Sequence, residues 1–167
     1  MGWSRRGPPL RRGVREVAVG LLSRREHTAR ELARKLGDRG FPAAEVARVL
    51  AELQEEDLQS DRRYVESYLR ERVRRGYGPA HIRHELRRRG VPDELIEEGL
   101  HVADCDWEEL AGAQRGLRFG RERPGSAAER ARQWAFLQRR GFTAGQIRAA
   151  LAAAEVPPPG SPGHEQR

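Results

Sequence analysis

The stretch RRGYGPAHIRHELRRRGV, Arg74–Val91, decides how the chain is organised. Six of its eighteen residues are arginine and three are glycine. Ile82 and Leu86 stand four apart, the spacing of one helix face. Gly78-Pro79 opens that helix, with proline in the first turn, where its missing N–H leaves no bond unmade. Arg87, Arg88 and Arg89 fall in the last turn, where cations meet the negative end of the helix dipole. Gly90 then ends the helix at a position that needs φ > 0. Gly76 stops the preceding helix, which closes on Arg74 and Arg75. These glycines turn the chain. No strand precedes GYGP, so it is not a phosphate-cradling loop.

The same pattern occurs three times. Gly40, Gly90 and Gly141 lie 50 and 51 residues apart, and each follows an arginine: Arg39, Arg89 or Arg140. Leu36, Leu86 or Leu137 stands four residues before the glycine. Phe41, Val91 or Phe142 follows it, then Val46, Ile96 or Ile147, then Leu50, Leu100 or Leu151. Each repeat therefore reads as a helix ended by glycine at C′, followed by a second helix with an apolar face. Pro42 and Pro92 sit where a new helix starts easily. Thr28 with Glu31, Asp106 with Glu109, Ser126 with Glu129 and Thr143 with Gln146 have capping-box spacing. A third helix precedes each pair, at about 14–24, 61–75 and 107–119. Val17, Leu21 and Leu22 are expected on the buried side of the first, Val65, Leu69 and Val73 on that of the second, and Trp107, Leu110 and Leu117 on that of the third. No alternating β pattern occurs.

The fold class expected is therefore all-α: three tandem three-helix repeats, about nine helices, at 14–59, 60–105 and 106–155. A basic arm, 1–13, precedes them and a disordered Pro/Gly-rich tail, 156–167, follows. Apolar residues are 37% of the 167 and charged residues 34%. That is thin for one deep core and suits an elongated array of small units. Cys105 is the single cysteine, so no internal disulfide forms. No apolar run reaches the roughly 18 residues of a membrane span. MGWSRRGPPLRRG has a basic start but no apolar stretch behind it. A cytoplasmic monomer is expected.

Enzyme chemistry finds no footing. His81, His84 and Glu85 lie close on one helix, but no second ligand cluster accompanies them. The acidic run from Glu97 to Glu109 reads as a solvated face with helix N-terminal carboxylates. No triad, nucleophile elbow or Walker loop is present. No catalytic residue, metal or cofactor is expected. The net charge of +7 points to acidic partners. It is spread as +3 over 1–59 (12 basic, 9 acidic), 0 over 60–106 (10 and 10) and +4 over 107–167 (10 and 6). Arg115, Arg118, Arg121 and Arg123 surround Phe119 in a stripe that suits phosphates, against the plainer alternative of a solvated arginine-rich surface. Arg118, Arg121, Arg123, Arg139 and Arg140 are the candidates for DNA-phosphate contact. Trp134 and Phe136 read as core.

Taken together, LLSRREHTARELARKLGDRGF (Leu21–Phe41), SDRRYVESYLRERVRRGYGPAHIRHELRRRGV (Ser60–Val91) and FLQRRGFTAGQIRAAL (Phe136–Leu151) resemble the RecX family of RecA regulators. The resemblance spans roughly residues 14–154, and its specific segments are SRREH and the Arg75–Leu86 block. The lead-in Ser60-Asp61-Arg62 departs from the family's more acidic one. The resemblance implies a curved, non-enzymatic protein that binds RecA and the groove of the RecA–single-stranded-DNA filament, limiting ATP hydrolysis and strand exchange. Arg24, Arg25, Glu26, Tyr64, Tyr68, Arg72, Tyr77 and Arg83 belong to the matched blocks and are the candidates for RecA contact, expected to be partly exposed. Intramolecular packing and capping is the competing role for each. Weak non-specific DNA binding fits the basic ends. The other reading of three-helix units with basic ends is a free-standing, helix-turn-helix-like DNA-binding protein.

Overall fold

The computed structural model describes residues 13–154. The expected basic arm, Gly13 apart, and the expected tail lie outside those residues. Among them the chain forms nine α-helices and no strand: α1 Val14–Leu22, α2 Ala29–Gly37, α3 Ala43–Glu55, α4 Asp61–Arg74, α5 Pro79–Arg88, α6 Asp93–Val102, α7 Trp107–Phe119, α8 Ala127–Arg139 and α9 Ala144–Ala152. Among the described residues no helix is long and apolar enough to cross a membrane.

The polar caps start the helices. The Thr28, Ser126 and Thr143 hydroxyls accept from the N–H of Glu31 (3.0 Å), Glu129 (3.1 Å) and Gln146 (3.4 Å). The Asp106 carboxylate accepts from Glu108 and Glu109 at 3.0 and 2.9 Å. At Thr143 the Gln146 side chain returns the bond, accepting from the Thr143 N–H at 2.8 Å and completing a capping box. Glycines end the helices. Gly40, Gly90 and Gly141 have φ of 86, 80 and 85°. Phe41 N–H reaches back to the Leu36 carbonyl and Gly40 N–H to that of Gly37, the paired bonds of a Schellman motif. Phe142 with Leu137, and Gly141 with Gln138, repeat them.

The chain divides into two compact units, one running to Tyr64 and including Arg89–Val91, the other made of Val65–Arg88 and the chain from Pro92 onward. In the first, α1, α2 and α3 enclose Val14, Ala18, Leu32, Leu36, Val46, Val49 and Leu53. Val17, Leu21 and Leu22, expected to be the buried side of α1, lie half-buried at the margin instead. Ala18 is fully buried at the centre, where a side chain ending at Cβ lets the helices approach. In the second unit Val65, Leu69, Ile82, Leu86, Ile96 and Leu100 are buried, as are Leu137, Phe142, Ile147 and Leu151. A Cβ on Gly99 would stand 2.5 Å from Val65, so α4 and α6 meet nearly backbone to side-chain base there. Leu117 corrects the expectation for α7: it is 82% exposed, and the inward positions are Ala111 and Arg115. Ala111 allows the close packing of α7 on α9, and that turns Leu117 outward.

One contact recurs inside each unit. In the first, the Thr28 hydroxyl donates to the Arg89 carbonyl (3.1 Å), and Gly90 lies against the Arg30 side chain. In the second, Gly78 N–H donates to the Arg140 carbonyl (2.7 Å) and Ala80 N–H to that of Gly141 (3.0 Å). A Cβ on Gly141 would stand 2.3 Å from the Cβ of His81. The Arg-Gly turn of one repeat is thus seated on the start of the middle helix of the repeat before it.

Candidate functional site

Each arginine is either neutralised internally or left open, and the repeats differ sharply in this. From α1 to α6 carboxylates answer most arginines, while Arg24, Arg30, Arg39, Arg70 and Arg88 are exposed and meet no carboxylate among the described residues. Arg25 holds Glu31 (2.5 and 3.2 Å) and the Glu26 carbonyl (2.9 Å). Glu26 takes the Nε of Arg63 (2.9 Å), which also reaches Asp57 (2.6 Å). Arg83 grips Glu97 with two bonds (2.5 and 2.9 Å), and Arg87 reaches Asp93 (2.7 Å). Partial burial pushes the Glu31 carboxyl up, but the Arg25 bonds and the His27 and Arg25 charges outweigh it and hold the group at about 2. Arg24 is exposed, with no side-chain partner among the described residues.

The candidates Tyr68, Arg72, Tyr77 and Arg140 come together in the second unit. The Tyr68 hydroxyl donates to Glu85 (2.6 Å) and accepts from Arg72 (2.8 Å). Arg72 Nη2 donates to the Glu85 carboxylate (3.2 Å), and its Nε lies 2.8 Å from the other carboxylate oxygen without a hydrogen bond. Burial raises the Glu85 carboxyl, while the Tyr68 bond and the Arg72 charge lower it further than burial raises it. The Arg72 guanidinium lies over the rings of Tyr68 (4.7 Å) and Tyr77 (5.5 Å). Arg140 lies over Tyr77 (5.5 Å) and Phe136 (5.2 Å), and Phe136 meets Phe119 edge to face at 5.3 Å. From Tyr68 to Phe136 the result is a half-buried ladder of alternating cations and rings held by cation–π attraction, closed by the ring–ring contact with Phe119. His81 stacks on Tyr77 at 4.4 Å and faces Glu85 at 3.2 Å, while His84 is exposed. Among the described residues no group of three His, Cys, Asp or Glu is arranged to hold a metal. Tyr64 departs from the expected partial exposure: it is 5% exposed in the first unit, and burial pushes its phenol up.

In the third repeat the arginines are treated differently. Residues 110–154 hold nine arginines and two acidic residues, Glu122 and Glu129. Among the described residues none of the nine pairs with a carboxylate. Three serve helix C-termini, where carbonyls lack N–H partners. Arg115 is 3% exposed and donates to the carbonyls of Gly120, Arg121 and Glu122 after α7, so it does not belong to the surface stripe. Burial lowers its pKa. Arg123 donates to Ala152 and Ala154 (2.9 and 2.8 Å) at the end of α9. Arg140 donates to Arg75 and Gly76 (2.9 and 3.0 Å) at the end of α4. The other six, Arg118, Arg121, Arg130, Arg132, Arg139 and Arg148, are exposed. Arg118 and Arg132 both lie over the Phe119 ring, at 5.9 and 5.8 Å. Arg132 escaped the sequence reading. The signal for it is the run Arg132, Phe136, Arg140, four apart along one helix face.

Comparison with known proteins follows the same division into repeats. Family models match over residues 15–53 (RecX, first three-helix domain), 60–100 (RecX, second three-helix domain) and 106–151 (RecX, third three-helix domain). The chain is 52% identical over 142 residues to a protein named regulatory protein RecX from Halorhodospira halophila, covering 85% of this chain and 88% of that one. It is 43% identical over 129 residues to the protein of the same name from Pseudomonas syringae pv. tomato, covering 77% and 83%. The crystal structure of RecX from Lactobacillus salivarius superposes with a TM-score of 0.74 at 22% identity, covering 83% of this chain and 92% of that one.

Proposed function

The chain belongs to the RecX family, a family of regulatory proteins, and from that premise we propose that it regulates RecA by binding the protein and its filament on single-stranded DNA. The observation that carries this reading is the match of all three repeats, in order, to the family's three-helix domains. The chemistry is consistent with it. The protein presents arrays of guanidinium and carboxylate side chains and no catalytic constellation among the described residues. Such a surface acts by occupying another molecule, and occupation of a filament limits its ATP turnover and strand exchange by holding its protomers in one state.

The candidate contacts narrow on structural grounds. Arg24, an exposed cation of the first repeat with no carboxylate partner among the described residues, is proposed as a direct contact. Arg25, Glu26, Tyr68, Arg72, Tyr77 and Arg83 meet a partner only as pre-assembled ion pairs and stacks, which hold shape at low entropic cost. Tyr64, buried, is proposed to act through α4 and not by touching the partner. Among the candidates for phosphate contact, Arg118, Arg121 and Arg139 keep free guanidiniums, while Arg123 and Arg140 are engaged at helix ends.

Co-sedimentation with RecA–single-stranded-DNA filaments, with RecA alone and naked DNA as controls, tests the reading. The protein is expected in the filament pellet at modest salt. A protein that stays in the supernatant with preformed filaments at micromolar concentrations contradicts it.

A further inference from the structure

We infer that the third repeat is itself a binding site for single-stranded nucleic acid, in which the Arg118–Phe119–Arg132 stack receives bases and Arg121 and Arg139 receive phosphates. This deepens the reading above and rests on it only for the identity of the larger assembly.

Six exposed arginines lie in residues 110–154, and no carboxylate among the described residues neutralises them. An abundance of arginine does not by itself leave charge open: in α1–α6 most arginines have an acid, such as Arg83 with Glu97 and Arg87 with Asp93, whereas residues 110–154 hold nine arginines and only two acids. Charges left open at this density attract a polyanion. Phe119 is half-buried, its ring fixed by the edge of Phe136, and two exposed guanidiniums from different helices lie over it. Flat cations held against a ring form a stacking platform, and every base has a π-face to offer it. An acidic peptide would use the cations but leave the flat surfaces without a partner. A single strand uses both, and duplex DNA, with its bases already stacked, does not. Arg115, Arg123 and Arg140, bound to helix-end carbonyls, hold the platform's supports in place and are not themselves contacts.

The test is fluorescence anisotropy of the full chain with a labelled oligothymidylate of about twenty nucleotides and with an abasic strand of the same length, over a range of salt. The intact oligonucleotide is expected to bind with an affinity that falls steeply as salt rises. The abasic strand is expected to bind about tenfold more weakly. Arg118→Gln with Arg132→Gln, both exposed and therefore compatible with folding, is expected to lose about tenfold in affinity for the oligothymidylate and to erase its preference over the abasic strand. Equal binding of both strands by the parent protein, or unchanged binding by the double variant, overturns the inference, and so does displacement by poly-glutamate as effective as by oligothymidylate at equal charge. The two readings fail separately. Filament binding without binding of the naked oligonucleotide at low salt sinks this inference and leaves the regulatory one. Oligonucleotide binding without filament binding does the reverse.

Discussion

Single side chains in this protein have sharply different weights, although most are of one type. Arg115 and Arg118 are three residues apart on α7, yet one is buried against three carbonyls and the other is in water. Arg115→Met is expected to cost about 2–3 kcal/mol by leaving buried acceptors unmet, while Arg118→Met should change stability by less than about 0.5 kcal/mol. Chemical denaturation of the two variants checks the difference. Glu31 gives a prediction in pH. Its carboxyl is held at about 2 in the fold against 4.5 for the unperturbed group. A depressed carboxylate contributes stability that is complete above its unfolded value and is lost as pH falls, here between about 4.5 and 2. The contribution is at most about 3 kcal/mol. Glu31→Gln should lower the melting temperature at neutral pH and flatten the acid limb of the stability curve in that window. An acid limb identical to the parent's would exclude Glu31 as its source. None of this weighting was legible in the sequence, because arginines at neighbouring positions look alike until the neighbouring carbonyls are placed.

At the scale of the element, much more was legible. The leucine-to-glycine spacing located the ends of α2, α5 and α8, and the Thr28, Asp106, Ser126 and Thr143 caps located four helix starts. These signals are local: a φ > 0 turn and an orphan N–H impose their residue types wherever the helix lies. Faces were harder. The apolar spacing of α7 placed Leu117 inside and that of α1 favoured Leu21 and Leu22, but close packing selected Ala111 and Ala18. A small residue that permits close approach carries no hydrophobic signal of its own. The glycine turns give a paired test. Gly40 and Gly141 share φ near 85°, but only Gly141 has a neighbouring backbone, that of His81, where a Cβ would stand. Gly40→Ala should cost about 1 kcal/mol from backbone strain alone, and Gly141→Ala clearly more. Equal losses in thermal denaturation would argue against the seating of the Arg140-Gly141 turn on α5. Leu36→Ala, at a fully buried position, should cost about 2–5 kcal/mol.

At the scale of the whole molecule, the sequence disclosed the threefold repeat and the family but not the distribution of open charge. Net charges of +3, 0 and +4 along the chain suggested two basic ends. Within the described residues the distinction is instead between two repeats in which carboxylates answer most arginines and a third in which no arginine meets one. The shortage of acids in residues 110–154, two against nine arginines, is in the sequence, but which arginines of α1–α6 are paired depends on which helices face each other. The division suits a regulator in which internally neutral repeats supply shape and the third supplies attraction. Salt should therefore weaken association with DNA-containing filaments more than association with RecA alone. The most direct measurement is the rate of ATP hydrolysis by RecA on single-stranded DNA as this protein is titrated in. Suppression at amounts well below one per RecA protomer is the expected result. An unchanged rate at a several-fold excess over RecA would contradict the account.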